Sequence, residues 1–192
     1  MRFIGLGLLS VAVVAGAAVA QETALWKEDV AGWEILVDQS LDDGCFMITE
    51  YERGTLLRAQ FNPAADTFQF VVGDPNWKSI EENKFYEIEV EFGSAGPWTG
   101  DAVGYDFGGI NALILHIPFE DDRADLFIEE FMRYTVVDVR YEGSSIARLS
   151  LKGTYAAMEE VMACQAAMLD QPAPAQDDPF SGSSSRGSDP FE

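Results

Sequence analysis

Apolar and polar residues alternate along most of this chain. In "FYEIEVEF" (85–92), Tyr86, Ile88, Val90 and Phe92 hold one set of alternate positions, and Glu87, Glu89 and Glu91 hold the other. Successive side chains of a strand point to opposite faces, so this segment reads as a half-buried antiparallel strand with a solvated acidic side. The same period, less cleanly kept, runs through 33–38, 45–51, 55–61, 67–72, 112–117, 136–141 and 145–151. Between the runs lie "LDDG", "YERG", "NPAAD", "GDPN", "EENK" and "YEGSS", rich in the residues that suit tight turns. The pattern predicts a mainly β domain, an antiparallel sandwich or small barrel of about eight strands.

The period changes in two places. In "DDRADLFIEEFMRY" (121–134), Ala124, Phe127, Ile128 and Phe131 recur at helical spacing, with Asp121 or Asp122 placed to cap and Arg133 in the last turn. This predicts one short helix. In "SLKGTYAAMEEVMACQ" (150–165), Leu149 and Leu151 still keep the strand period, Gly153 breaks it, and Thr154 is expected to cap a second helix. Ala157, Val161, Cys164 and Met168 then share a helical stripe, with Met158 and Met162 beside it. A C-terminal helix packed on the sheet is predicted.

The ends read differently from the middle. Arg2, an uncharged apolar run and the small residues Ala18 and Ala20 make residues 1–20 a signal peptide. Residues 21–170 are then a single β-rich domain, expected in the periplasm or secreted, with no membrane insertion after cleavage. From Gln171 the chain is an acidic Pro/Ser/Gly tail (171–192) with almost nothing to bury, expected to be disordered. Its tripeptide Asp-Pro-Phe occurs twice, at 178–180 and 189–191, which low complexity explains.

Charge narrows the partners. With 33 acidic and 12 basic residues the formal net charge is −21. A polyanion would find nothing to neutralise it, so no nucleic-acid partner is expected. The acids serve first as a solvated, self-repelling surface.

Two cysteines remain, Cys45 and Cys164. An even pair in an exported chain is most simply one disulfide. A metal site needs more ligands than two thiols and the single histidine, His116, supply. A thiol nucleophile wants a basic neighbour, and "EEVMACQ" offers acids. No metal and no cofactor are expected.

Candidate chemistry is sparse. His116 shares a strand face with Ala112, Ile114 and Pro118, and no "GxSxG" elbow accompanies it, so it reads as structural. The irregular segments "GDPNWKS" (73–79) and "GPWTGDAVGYDFGG" (96–109) carry Trp77, Trp98, Asp101 and Asp106, a set able to stack a sugar or grip a peptide. Against that stands the plainer reading that each tryptophan folds back to close an end of the barrel. The two aspartates lack a dense oxygen-ligand loop for calcium.

"LSLKGTYAAM" (149–158) resembles the strand–Gly–helix closing motif of the invasion-associated locus B family of exported alphaproteobacterial proteins, and "GCFM" (44–47) is similar to that family's Gly-Cys segment. More broadly the chain looks like uncharacterised exported proteins of alphaproteobacteria. The resemblance implies a periplasmic β-rich domain and carries over no catalytic residues. The function expected is non-catalytic binding of a protein or glycan partner in the periplasm or at the cell surface. The alternative is a periplasmic hydrolase acting on glycan or peptide through loop carboxylates.

Overall fold

The structure is a computed structural model, and residues 23–170 are described. The signal-peptide and tail expectations (1–20 and 171–192) lie outside them. Ten strands form one antiparallel sheet: β1 (Thr23–Val30), β2 (Trp33–Asp38), β3 (Gly44–Glu50), β4 (Leu56–Asn62), β5 (Thr67–Asp74), β6 (Phe85–Phe92), β7 (Trp98–Phe107), β8 (Ile110–Pro118), β9 (Val136–Tyr141) and β10 (Ser144–Ser150). Their spatial order is β1-β2-β3-β4-β5-β8-β7-β6-β9-β10, so β1 and β10 are open edges. Helix α1 (Arg123–Arg133) joins β8 to β9, and α2 (Thr154–Leu169) comes after β10.

The alternation decides which face is covered. Trp33, Ile35, Met47, Leu57, Phe68, Phe70, Ile88, Val90, Leu113 and Val139 all turn to the face that carries the helices, and all are buried. Both helices present their apolar stripes there: Ala124, Phe127, Ile128 and Phe131 from α1, Ala157, Val161 and Cys164 from α2. Phe127 makes the centre, with its ring 4.9 Å from Phe92, 5.6 Å from Phe70 and 5.3 Å from Trp98. Edge-on packing of such rings adds roughly 0.5–1.5 kcal/mol per pair beyond the area buried.

Cys45 and Cys164 form a disulfide with Cα atoms 6.1 Å apart, tying α2 to the start of β3. Gln165, the next residue, accepts a 2.9 Å hydrogen bond from the Cys45 N–H through Oε1. The expected pair is present, on the helix stripe that carries Cys164.

One predicted cap holds its position and the other moves. Asp122 is the N-cap of α1 but makes no side-chain cap bond. The N-cap of α2 is Gly153, at φ +90°, and Thr154 is already helical. The Thr154 hydroxyl instead donates to the carbonyls of Leu151 (2.8 Å) and Phe131 (3.0 Å), fastening the start of α2 to the end of α1. Glycine is required at 153 twice over: the backbone is left-handed, and a Cβ would lie 2.4 Å from the Ala31 carbonyl oxygen.

Two strands exceed the eight read from sequence, β1 and β7. The segment 96–109, read as irregular, is mostly β7. Its core-facing positions include Gly100, Ala102 and Gly104, small because a Cβ at Gly100 would meet Leu115 Cδ1 at 2.8 Å and one at Gly104 the Glu81 carbonyl oxygen at 2.3 Å. A strand whose inward positions must be small shows little apolar alternation.

Candidate functional site

The sheet curls until its far edge returns to the early strands without pairing to them. Tyr51, just past β3, donates through Oη to the Ser150 carbonyl at 2.5 Å, and Trp33 Nε1 donates to the Lys152 carbonyl at 3.2 Å. Between these strands an open cleft of about 750 Å³ remains, running along residues 146–150 of β10 and walled by Tyr51, Arg53, Thr55, Asp74 and Trp77. A second cleft of about 540 Å³ adjoins it, sharing Asn76, Trp77 and Ile146 and reaching Lys84, Tyr86 and Tyr141. Trp77 stands between the two.

The β10 backbone in this cleft is half unpaired. Leu151 N–H bonds the Thr135 carbonyl, continuing the register in which Leu149 faces Val137. Alternate residues of an antiparallel pair exchange hydrogen bonds, so the N–H and C=O of Arg148 and Ser150 point away from β9 and toward the cleft. The Tyr51 bond to Ser150 is consistent with that direction and takes one of these acceptors. The Arg148 pair stays open on an edge where a further strand fits.

The walls are held by local bonds. Asp74 accepts from Thr55 Oγ1 at 2.5 Å and from the N–H of Asn76 at 2.8 Å. Burial alone would raise the Asp74 pKa, but these bonds and the Asn76 amide outweigh it and hold the carboxyl below its usual range. Burial pushes the Tyr51 phenol well up, so it stays a donor. Trp77 is anchored through its carbonyl, which accepts from Asn111 Nδ2 at 2.5 Å. Arg53, at the rim, has φ +79°, a backbone state uncommon outside glycine.

Of the four residues read as candidate ligand contacts, only Trp77 lines this cleft. Trp98 lies elsewhere: its Nε1 donates to Glu130 Oε2 at 2.7 Å, its ring packs on Phe127, and the Arg123 guanidinium lies 5.9 Å from it. It closes an end of the core. Asp101 is exposed on β7 opposite Glu87, and Asp106 accepts from the Gly109 N–H in the β7–β8 turn at 2.5 Å. The structure does not gather the four into one site. Among the described residues no group of three or more His, Cys, Asp or Glu side chains is placed to hold a metal ion.

Sequence reading passed over Tyr51, Arg53 and Arg148. "YERG" announced a turn, and nothing in it signalled that the turn faces the edge of β10. No family model, curated protein or solved structure matches the chain.

Proposed function

We propose that this chain is an exported, non-catalytic binding domain that takes an extended polypeptide segment along the open edge of β10. The observation that carries the reading is the unpaired Arg148 main chain facing a cleft walled by Trp77. Strand addition supplies affinity through such main-chain groups and specificity through alternate side-chain pockets. The cleft is locally near neutral, since Arg53 and Arg148 offset Glu52 and Asp74 on a molecule of net charge −21.

Export is supported by three features: the disulfide, the apolar N-terminal run, and the resemblance at 149–158 and 44–47 to the locus B family. Among the described residues no helix is long and apolar enough to cross a membrane. The rival hydrolase reading finds less support in this cleft. Asp74 is committed to hydrogen bonds that favour its ionised form, which suits a structural carboxylate better than a proton donor.

Selection of a displayed random-peptide library on the purified domain tests the proposal. Recovered peptides should bind the Arg148→Ala variant, which lacks the side chain that meets Asp138, and lose binding to Arg148→Pro, which lacks the outward N–H as well and is tolerated on an edge. Retained binding to Arg148→Pro, or peptides indifferent to Trp77→Ala, would overturn strand addition at this edge.

A further inference from the structure

The opposite face of the sheet carries a further cleft, and its chemistry differs. The outward positions of β4 and β5 include Arg58, Gln60 and Gln69, which are buried at 8%, 1% and 6% exposure. Polar residues buried on an outward face have no part in the helix-covered core. They lie there because the β7–β8 hairpin bends over them. Phe107 and Ile110 pack against Leu56, Val71 and Ala112 in a small separate apolar cluster. What remains beside that cluster is a cavity of about 290 Å³ bounded by Arg58, Gln69, His116, Tyr105 and Phe107.

Arg58 is fixed in it from three sides. Its guanidinium lies 3.6 Å from the Phe46 ring centroid, Nε donates to Gln60 Oε1 at 2.8 Å, and Nη2 bonds Asp38 Oδ2 at 2.5 Å. Asp38 is held in turn by Ser40 Oγ at 2.5 Å. Among the described residues, the Nη1 group of Arg58, the Gln69 amide, the His116 ring and the Tyr105 hydroxyl make no hydrogen bond. Two of the four belong to buried residues, Arg58 and Gln69, and two, His116 and Tyr105, are exposed at the cavity's rim, so hydrogen-bonding groups converge on it from floor and mouth and are open to a bound molecule.

The local charges select the class of ligand. The Arg58 cation is already neutralised by Asp38, the one carboxylate in the lining. An incoming anion would crowd Asp38, and an incoming cation would meet Arg58. Partial burial of the imidazole also pushes the His116 pKa down, leaving an uncharged ring with one donor and one acceptor at neutral pH. Amide, imidazole and phenol each pair naturally with hydroxyl groups, which both donate and accept. Tyr105 and Phe107, with ring centroids 4.7 Å apart, add an aromatic wall. The volume sits near the lower end of the roughly 300–1,000 Å³ typical of small-molecule sites, room for one ring and not a chain.

We infer that this cavity binds an uncharged monosaccharide unit, its hydroxyls bonded by Arg58 Nη1, Gln69, His116 and Tyr105 and an apolar ring face set against Tyr105 and Phe107. The site is separate from the β10 cleft and stands whether or not a peptide binds there.

Side-chain NMR of the purified domain tests it, titrating glucose, N-acetylglucosamine and, as the charged comparison, glucuronate and acetate. At least one uncharged sugar should shift the Gln69 side-chain amide and Arg58 Nε–H signals saturably, while signals of Trp77 stay put. Gln69→Leu should weaken that binding at least tenfold with an unchanged melting temperature. Tyr105→Phe, at an exposed position that keeps its ring, should weaken it several-fold and serves if Gln69→Leu fails to fold. No saturable shift with either uncharged sugar, or tighter binding of glucuronate or acetate, would overturn the inference.

Discussion

The Tyr51 hydroxyl donates to the Ser150 carbonyl at 2.5 Å across 99 residues of sequence, and by this bond the last strand of an open sheet is held against the turn after its third. Tyr51→Phe removes the bond and little else. Stability should fall by about 1 kcal/mol, the net worth of one such bond. Amide exchange at Leu151, whose N–H bonds the Thr135 carbonyl, should accelerate as β10 loosens. Unchanged exchange in β10 would show that the seam is held by packing alone.

Asp38 and Arg58 form the buried ion pair of the outer face, with side chains 12% and 9% exposed. Asp38→Asn strands the guanidinium and should cost roughly 3–5 kcal/mol, whereas Asp38→Leu with Arg58→Met should recover much of the loss. The pH dependence has a definite sign. Burial alone would raise the Asp38 pKa, but bonds from Ser40 and Arg58, the Arg58 charge and Gln60 together lower it. The folded value thus lies below the unfolded one of about 3.9, so the contribution is complete above that pH and is lost as pH falls through the folded value. Denaturant melts of wild type and Asp38→Asn should differ fully at neutral pH and converge below about pH 4. Curves that stay parallel through that window would show that Asp38 is not the group involved.

The disulfide closes a loop across a sequence separation of 119. Cys45→Ser and Cys164→Ser should each lower stability by roughly 2–5 kcal/mol, and the double variant by about the same amount, since all three lose one bond. Thiol titration of the denatured, unreduced protein should find none free. Additive losses would mean that the sulfurs act as separate buried groups.

Gly153 and Gly108 separate two costs of glycine replacement. Both have positive φ, +90° and +63°, but a Cβ at 153 would strike the Ala31 backbone while one at 108 meets nothing within 4 Å. Gly108→Ala should cost only the left-handed backbone, about 1 kcal/mol. Gly153→Ala adds the collision and should cost at least about 2 kcal/mol more, because backbone cannot give way as a side chain can. Chemical denaturation of the two variants compares them directly, and equal losses would show that α2 can move away from Ala31 at little cost.

Local pattern alone determined most of the elements. Tyr86, Ile88, Val90 and Phe92 are buried as their alternation requires, and Ala124, Phe127, Ile128 and Phe131 face the core as their helical spacing requires. Burial has the same period as the backbone, so the code is written in neighbouring residues. The cysteine pair was legible for another reason: a count of two left each cysteine one partner. Two strands were not legible. β1 is exposed over nearly its whole length, and β7 has glycine where a core residue would otherwise show. Neither cleft could be read from the chain. The β10 cleft exists because strands 99 residues apart curl to within one hydrogen bond, and the Arg58 cavity exists because the β7–β8 hairpin folds over β4 and β5. Arg58, Gln60 and Gln69 look in sequence like the solvated side of two strands. Only the curvature of the sheet, a sum of twists and long-range contacts that no local period records, turned that side inward.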